Sequence, residues 1–148
     1  EAVFGTPARP SDNHAEMAVS AALRMRQALE KLNEERHAAK EPLIRHGIGI
    51  HTGKVLAGNV GSPDRLVYAM VGDAVNIASR LQVLNKTCGT DILVSRAVAD
   101  RIAGLDIDLT PMGTFPIRGK SEEIEIFSPA PGEEAKTAAQ TTDAPPRS

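Results

Sequence analysis

Gly47-Ile-Gly-Ile-His-Thr-Gly-Lys-Val-Leu-Ala-Gly-Asn-Val-Gly61, followed by Val71-Gly-Asp-Ala-Val-Asn-Ile-Ala-Ser-Arg-Leu81, is the stretch on which the reading of this chain turns. On either side of Thr52-Gly53, residues 46–51 and 54–58 alternate or carry β-branched side chains, which predicts a β-hairpin. Glycines at 47, 49, 53, 58 and 61 imply close backbone approach or special turns. After Asp73, a good N-cap, the period changes. Ala74, Ile77, Ala78, Leu81 and Leu84 keep helical spacing, and Gly89 lies just beyond a plausible helix end.

Upstream, a long amphipathic helix is predicted from Ser11 or Asp12 to about His37, with Ala18, Ala21, Ala22, Met25, Leu29 and Leu32 as its apolar stripe. Between the quoted segments come a loop at 62–64 and a short strand at 67–71. Downstream the pattern gives a strand at 91–95, a short helix at 95–103, and strands near 107–109, 113–117 and 124–127. The fold class is α+β, with helices packed on a largely antiparallel sheet. From Ser128 onward no large apolar residue occurs, so the end of the chain reads as a disordered tail.

Composition narrows the function. The 148 residues allow one domain with a sizeable core plus a tail. A formal net charge of −2 with interspersed signs argues against nucleic acid as the main partner, because duplex binding usually shows as a basic face. Cys88 is the only cysteine, which excludes an intrachain disulfide and favours a reducing, cytoplasmic setting. No apolar run approaches the roughly 20 residues that span a bilayer, and the opening Glu1-Ala-Val-Phe-Gly-Thr-Pro7 reads as the end of a strand inside a domain.

The chemistry-bearing candidates sit on the second helix. With Asp73 at its start, Asn76 falls in the first turn and Arg80 follows four residues later, on the same face. A helix N-terminus favours anions, a guanidinium spans two phosphate oxygens and an amide can fix a sugar oxygen, so the trio suits a phosphorylated ligand. Taken alone, the same pair is more often a solvated helix face or a structural hydrogen-bonding pair.

The quoted run, with Arg65 and Tyr68 between its halves, resembles the signature of the class III adenylyl and guanylyl cyclase catalytic domain. The resemblance extends back to Ala2-Val-Phe-Gly5 with Pro7 and to His14-Ala15, and forward to Ile117-Arg-Gly-Lys120. It implies that residues 1–128 are the C-terminal portion of such a domain, of ferredoxin-like fold with its N-terminal part missing, and that 129–148 are the tail. The family converts ATP, or GTP, to the 3′,5′-cyclic monophosphate and pyrophosphate, and its domains pair head to tail with active sites at the interface; a homodimer is expected. By the resemblance Asn76 orients the ribose, Arg80 neutralises charge on the α-phosphate, Arg118 contacts the terminal phosphates and Lys120 is its near neighbour. The two divalent metals, Mg²⁺ or Mn²⁺, are held in the family by aspartates upstream of the matched segment, so none is expected on this chain, which alone should be inactive. Ala69 stands at the base-facing position, where adenylyl cyclases often carry Asp or Thr and many guanylyl cyclases Cys. The expected activity is adenylyl cyclisation of ATP for signalling. The alternatives are a guanylyl cyclase, a catalytically silent dimerisation module, and a sensor that holds nucleotide without turning it over.

Other residues take plainer roles. His46 and His51 lack companions at metal-ligand spacing and read as structural. Gly47-Ile-Gly49 is no dinucleotide fingerprint, since the next glycine is Gly53 and no strand-to-helix turn follows.

Overall fold

A computed structural model describes residues 1–6, 9–62, 65–116 and 123–129. In chain order it contains α1 (His14–Ala38), β1 (Ile48–Ile50), β2 (Leu56–Ser62), β3 (Arg65–Val71), α2 (Asp73–Cys88), β4 (Ile92–Ser95), α3 (Arg96–Ala99) with a 3₁₀ turn at Asp100–Ile102, β5 (Leu109–Pro116) and β6 (Glu123–Pro129). Four strands form one sheet in the order β1-β4-β6-β5, and β2-β3 form a separate two-stranded ribbon. The β1–β4 pairing is parallel and the others are antiparallel, in keeping with the expected α+β class.

The predicted hairpin across Thr52-Gly53 does not form. β1 pairs with β4 through Ile48↔Ile92, Gly49↔Leu93 and Ile50↔Val94, and the hairpin comes one strand later, between β2 and β3. The reason lies in the Ile-Gly-Ile alternation. Ile48 and Ile50 pack with Ile92, Val94 and Phe127 against Ala15, Val19 and Ala22 of α1. On the other face Leu93 and Ile126 meet Ile77 and Leu81 of α2. Gly49 lies under α2: a side-chain carbon there would overlap the Ala78 carbonyl oxygen and the Gln82 nitrogen and come within 2.8 Å of Leu81 Cβ. One face of the sheet is thus covered by α1 with α3 and the 3₁₀ turn, the other by α2, and Gly49 of β1 lets α2 sit directly on the strand.

The apolar phase of α1 also differs from expectation. Its buried residues are Ala15, Val19, Ala22 and Arg26, while Met25 and Leu32 of the expected stripe are 53% and 42% exposed. Alanines occupy both sets of positions, so spacing alone could not set the rotation, and Arg26 reads as polar in sequence. Its guanidinium is instead buried, donating to the Pro129 carbonyl at 3.2 Å and lying 3.5 Å from Asp91, which ties α1 to the end of β6. That contact carries β6 two residues beyond the strand expected at 124–127, so Pro129 belongs to the sheet and not to a tail; residues from 130 onward lie outside those described.

The two strands expected near 107–109 and 113–117 are one, β5. Pro111 is tolerated within it because β5 is the sheet's edge strand, where a missing N–H costs little. The register shifts between Pro111 and Gly113, and Met112 packs on the α2 side of the core.

Candidate functional site

Helix α2 is fixed at both ends and along its inner face. Gly72, not Asp73, is the N-cap, and Asp73 is the first helical residue, where its carboxylate complements the positive end of the helix dipole. The change follows from Gly72 approaching the turn before β2: a side chain there would come 3.0 Å from the Lys54 carbonyl oxygen. At the other end Gly89 adopts the left-handed conformation, φ 66°.

Asn85 is a residue that sequence reasoning missed. It is 3% exposed, its amide donates to the Ile48 carbonyl at 3.0 Å and the Gln82 carbonyl at 3.2 Å, and its side-chain oxygen accepts from the Thr90 hydroxyl at 2.9 Å. Its signal was weak but present: a polar residue at the buried phase of Ala74, Ile77 and Leu81 must find partners.

With the inner face so anchored, the outer face is determined. Asn76 and Arg80 are both exposed and one turn apart, and Val83, 62% exposed, continues the same face. Ala69 is half-buried on β3, directly opposite Gly58 of β2, and the chain runs from it through Val71 and Gly72 straight into α2. The base of the ribbon is apolar and open, with Leu56 paired to Val71 and the two 78% and 58% exposed. Arg118 and Lys120 lie outside the described residues.

The histidines have structural partners or settings. His51 Nδ1 is 2.7 Å from the buried Ser95 hydroxyl. His14, which the sequence reading used only as part of the resemblance, bonds through Nδ1 to the Ser11 carbonyl at 2.9 Å and through Nε2 to the Thr52 hydroxyl at 3.0 Å. Since a carbonyl only accepts, Nδ1 is the donor in the first of these bonds. His46 is half-buried with Nε2 lacking a hydrogen-bond partner. Cys88 packs beside the α2 core, and burial pushes its thiol above the usual range, which disfavours the thiolate a nucleophile needs. Among the described residues no three His, Cys, Asp or Glu side chains are gathered to hold a metal ion, and no helix is long and apolar enough to cross a membrane.

A groove of about 910 Å³ runs along the free edge of β1, between α1 (Ala18, Ala21, Met25) and α2 (Ala78, Gln82). Ala18, Ala21 and Met25 of the expected apolar stripe therefore line this groove, while Ala22 of the same stripe reaches the core.

Comparison with known proteins gives a consistent result. The family model for the adenylate and guanylate cyclase catalytic domain matches residues 1–128. Adenylate cyclase 1 of Rhizobium meliloti is 40% identical over 114 residues, covering 77% of this chain and 17% of that protein. The crystal structure of the adenylyl cyclase CyaB from P. aeruginosa superposes with a TM-score of 0.74 at 27% identity, over 86% of this chain and 64% of that one. A guanylyl cyclase structure gives 0.72 at 29% identity, over 88% and 64%. The chain thus spans less than two thirds of each of these relatives.

Proposed function

The chain belongs to the adenylate and guanylate cyclase catalytic domain family, and from that premise we propose that it is the portion of an adenylyl cyclase that supplies the transition-state residues for converting ATP to 3′,5′-cyclic AMP and pyrophosphate. The observation that carries this reading is the outer face of α2, where Asn76 and Arg80 stand exposed, one turn apart, on a helix whose inner face is locked to β1. In the reaction the ribose 3′-oxygen bonds to the α-phosphorus as the bond to the pyrophosphate oxygen breaks. Asn76 holds the ribose so that the 3′-oxygen is in line, and Arg80 donates to α-phosphate oxygens whose charge grows in the transition state. Such preorganised donors act because they need no reorientation as charge develops. Arg118, with Lys120 beside it, binds the terminal phosphates.

A second copy of the chain, docked head to tail, closes the site. Supporting this is the run of exposed apolar side chains beside the pair, Leu56, Val71 and Val83, which nothing in the described chain covers. The divalent cations of the reaction, Mg²⁺ or Mn²⁺, would neutralise the triphosphate and activate the hydroxyl. Among the described residues no three His, Cys, Asp or Glu side chains are gathered to hold them, and no step above passes through them. Identity to adenylate cyclases at 40% and 37% favours ATP over GTP, and the domain acts inside the cell, where ATP is available.

The test is Arg80→Ala in the full-length protein. Turnover should fall roughly 10²- to 10³-fold, the usual cost of one preorganised oxyanion donor, with KM for ATP nearly unchanged. An unaltered kcat with a raised KM would instead make Arg80 a ground-state binding residue and sink its assigned role.

A further inference from the structure

Helix α2 rests on the chain at two separate places, and the two residues assigned to the reaction belong to different ones. Its middle lies on β1, where a side-chain carbon at Gly49 would overlap the Ala78 carbonyl oxygen and the Gln82 nitrogen. Arg80 falls between those two residues. The first turn of α2 lies instead on the connection between β1 and β2, residues 51–55. A side-chain carbon at Gly53 would come 2.9 Å from Ala74 Cβ, and one at Gly72 would come 3.0 Å from the Lys54 carbonyl oxygen. Asn76 follows in that same turn.

The contact at Gly49 is backbone against backbone, whereas the connection under the first turn is pinned by side chains. Gly72, the N-cap of α2, has no side chain to accept from the first amides. Beneath it the Thr52 hydroxyl lies 3.0 Å from His14 Nε2, a bond that spans 38 residues of sequence. His14 is itself fixed. It donates through Nδ1 to the Ser11 carbonyl at 2.9 Å, and a side-chain carbon at Gly5 would come 2.9 Å from its Cβ. The next residue back along the connection, His51, is bonded to the buried Ser95 hydroxyl.

We infer that His14 and Thr52 are positioning residues for the reaction proposed above, holding the first turn of α2, and Asn76 with it, at its spacing from Arg80; the inference rests on the cyclase reading. Turnover is the sensitive quantity, because a misplacement of about 1 Å can cost about 10²-fold in rate, while one side-chain hydrogen bond is a small part of a domain's stability.

The experiment compares the full-length protein with Thr52→Val, which keeps the shape of the side chain and removes the hydroxyl, and with Thr52→Ser, which keeps the hydroxyl. Thr52→Val should lower kcat about tenfold with KM for ATP nearly unchanged, and Thr52→Ser should retain most of the activity. His14→Ala should reproduce the loss and add little to it in the double variant. In an Asn76→Ala background the Thr52→Val loss should shrink to about twofold or less, because a residue that acts through another has little left to do once that one is gone. Hydrogen exchange, which needs no turnover, should be about tenfold faster at the amides of residues 75–77 in Thr52→Val and unchanged at 81–85. Arg26→Met, a substitution elsewhere on α1, should lower the melt and leave kcat alone. A loss of equal size with and without Asn76, exchange that rises evenly along α2, or a Thr52→Val protein that no longer folds would each overturn the assignment, since the hydroxyl would then serve the fold at large. An unsubstituted protein that does not cyclise ATP would overturn the reaction, and the exchange pattern would still decide whether Thr52 holds the first turn.

Discussion

In β1, a methyl group added at Gly49 would run into the backbone of α2, whereas the same group at Gly58 in β2 would meet nothing within 4 Å. The two glycines belong to regions built on different terms. The four-stranded sheet is explained by its own packing: β4 is buried along its whole length, Ile92 and Val94 under α1 and Leu93 under α2. The β2–β3 ribbon and the outer face of α2 carry exposed apolar side chains, Leu56, Val71 and Val83, that the packing of the described residues does not bury. Residues of the first kind report on stability, and residues of the second kind report on what the molecule meets.

That contrast is broken most severely at Gly49. Gly49→Ala should destabilise the fold by more than about 3 kcal/mol, because the overlap is with backbone atoms that no rotamer change can move. Thermal unfolding of the variant measures it, and a melt within a few degrees of the unsubstituted protein would mean that α2 does not sit on β1 as described.

A smaller cost is expected at Asn85. Asn85→Leu removes the donor to the Ile48 carbonyl and the acceptor of the Thr90 hydroxyl inside a nearly closed site, which at about 1–3 kcal/mol per orphaned buried group should show as a lower denaturant midpoint with little change in slope. Arg26→Met is expected to cost less, about 1 kcal/mol. The methionine keeps bulk on the buried face of α1, Asp91 is exposed enough to be hydrated, and the Pro129 carbonyl loses a charged donor. Equal losses in the two variants would show that the Arg26 contact does more than hold the end of β6.

Most of the sheet's segments were legible because strand and helix periods differ; what failed was pairing. A hairpin at Thr52-Gly53 is expected because a turn dipeptide between alternating segments is a local signal, while the parallel pairing of Ile48, Gly49 and Ile50 with Ile92, Leu93 and Val94 depends on residues far apart in sequence. The rotation of α1 was missed because alanine marks neither face. Asn76 and Arg80 were legible as one face of one helix, since four-residue spacing is a local fact that α2 preserves. Asn85 was not, because its value lies in partners on β1 and beyond the helix end.

The smallest expected effect on stability is at Leu56, and it sharpens the comparison most. Leu56 is 78% exposed and pairs with Val71, itself 58% exposed, so Leu56→Ser removes almost no buried area within the chain. Burial of apolar surface contributes about 25 cal/mol per Å², and surface substitutions away from special features usually stay within about 0.5 kcal/mol; the melt of the dilute protein should therefore hardly move. Association is different. If this patch is covered by a second copy, the same substitution leaves a hydroxyl where an apolar side chain was buried and should weaken dimerisation by about 1–3 kcal/mol, roughly 5- to 150-fold in the dissociation constant. Analytical ultracentrifugation across a concentration series separates the two quantities. A lower melt with unchanged association would assign Leu56 to the chain's own core and remove the apolar patch as support for a paired site beside Asn76 and Arg80.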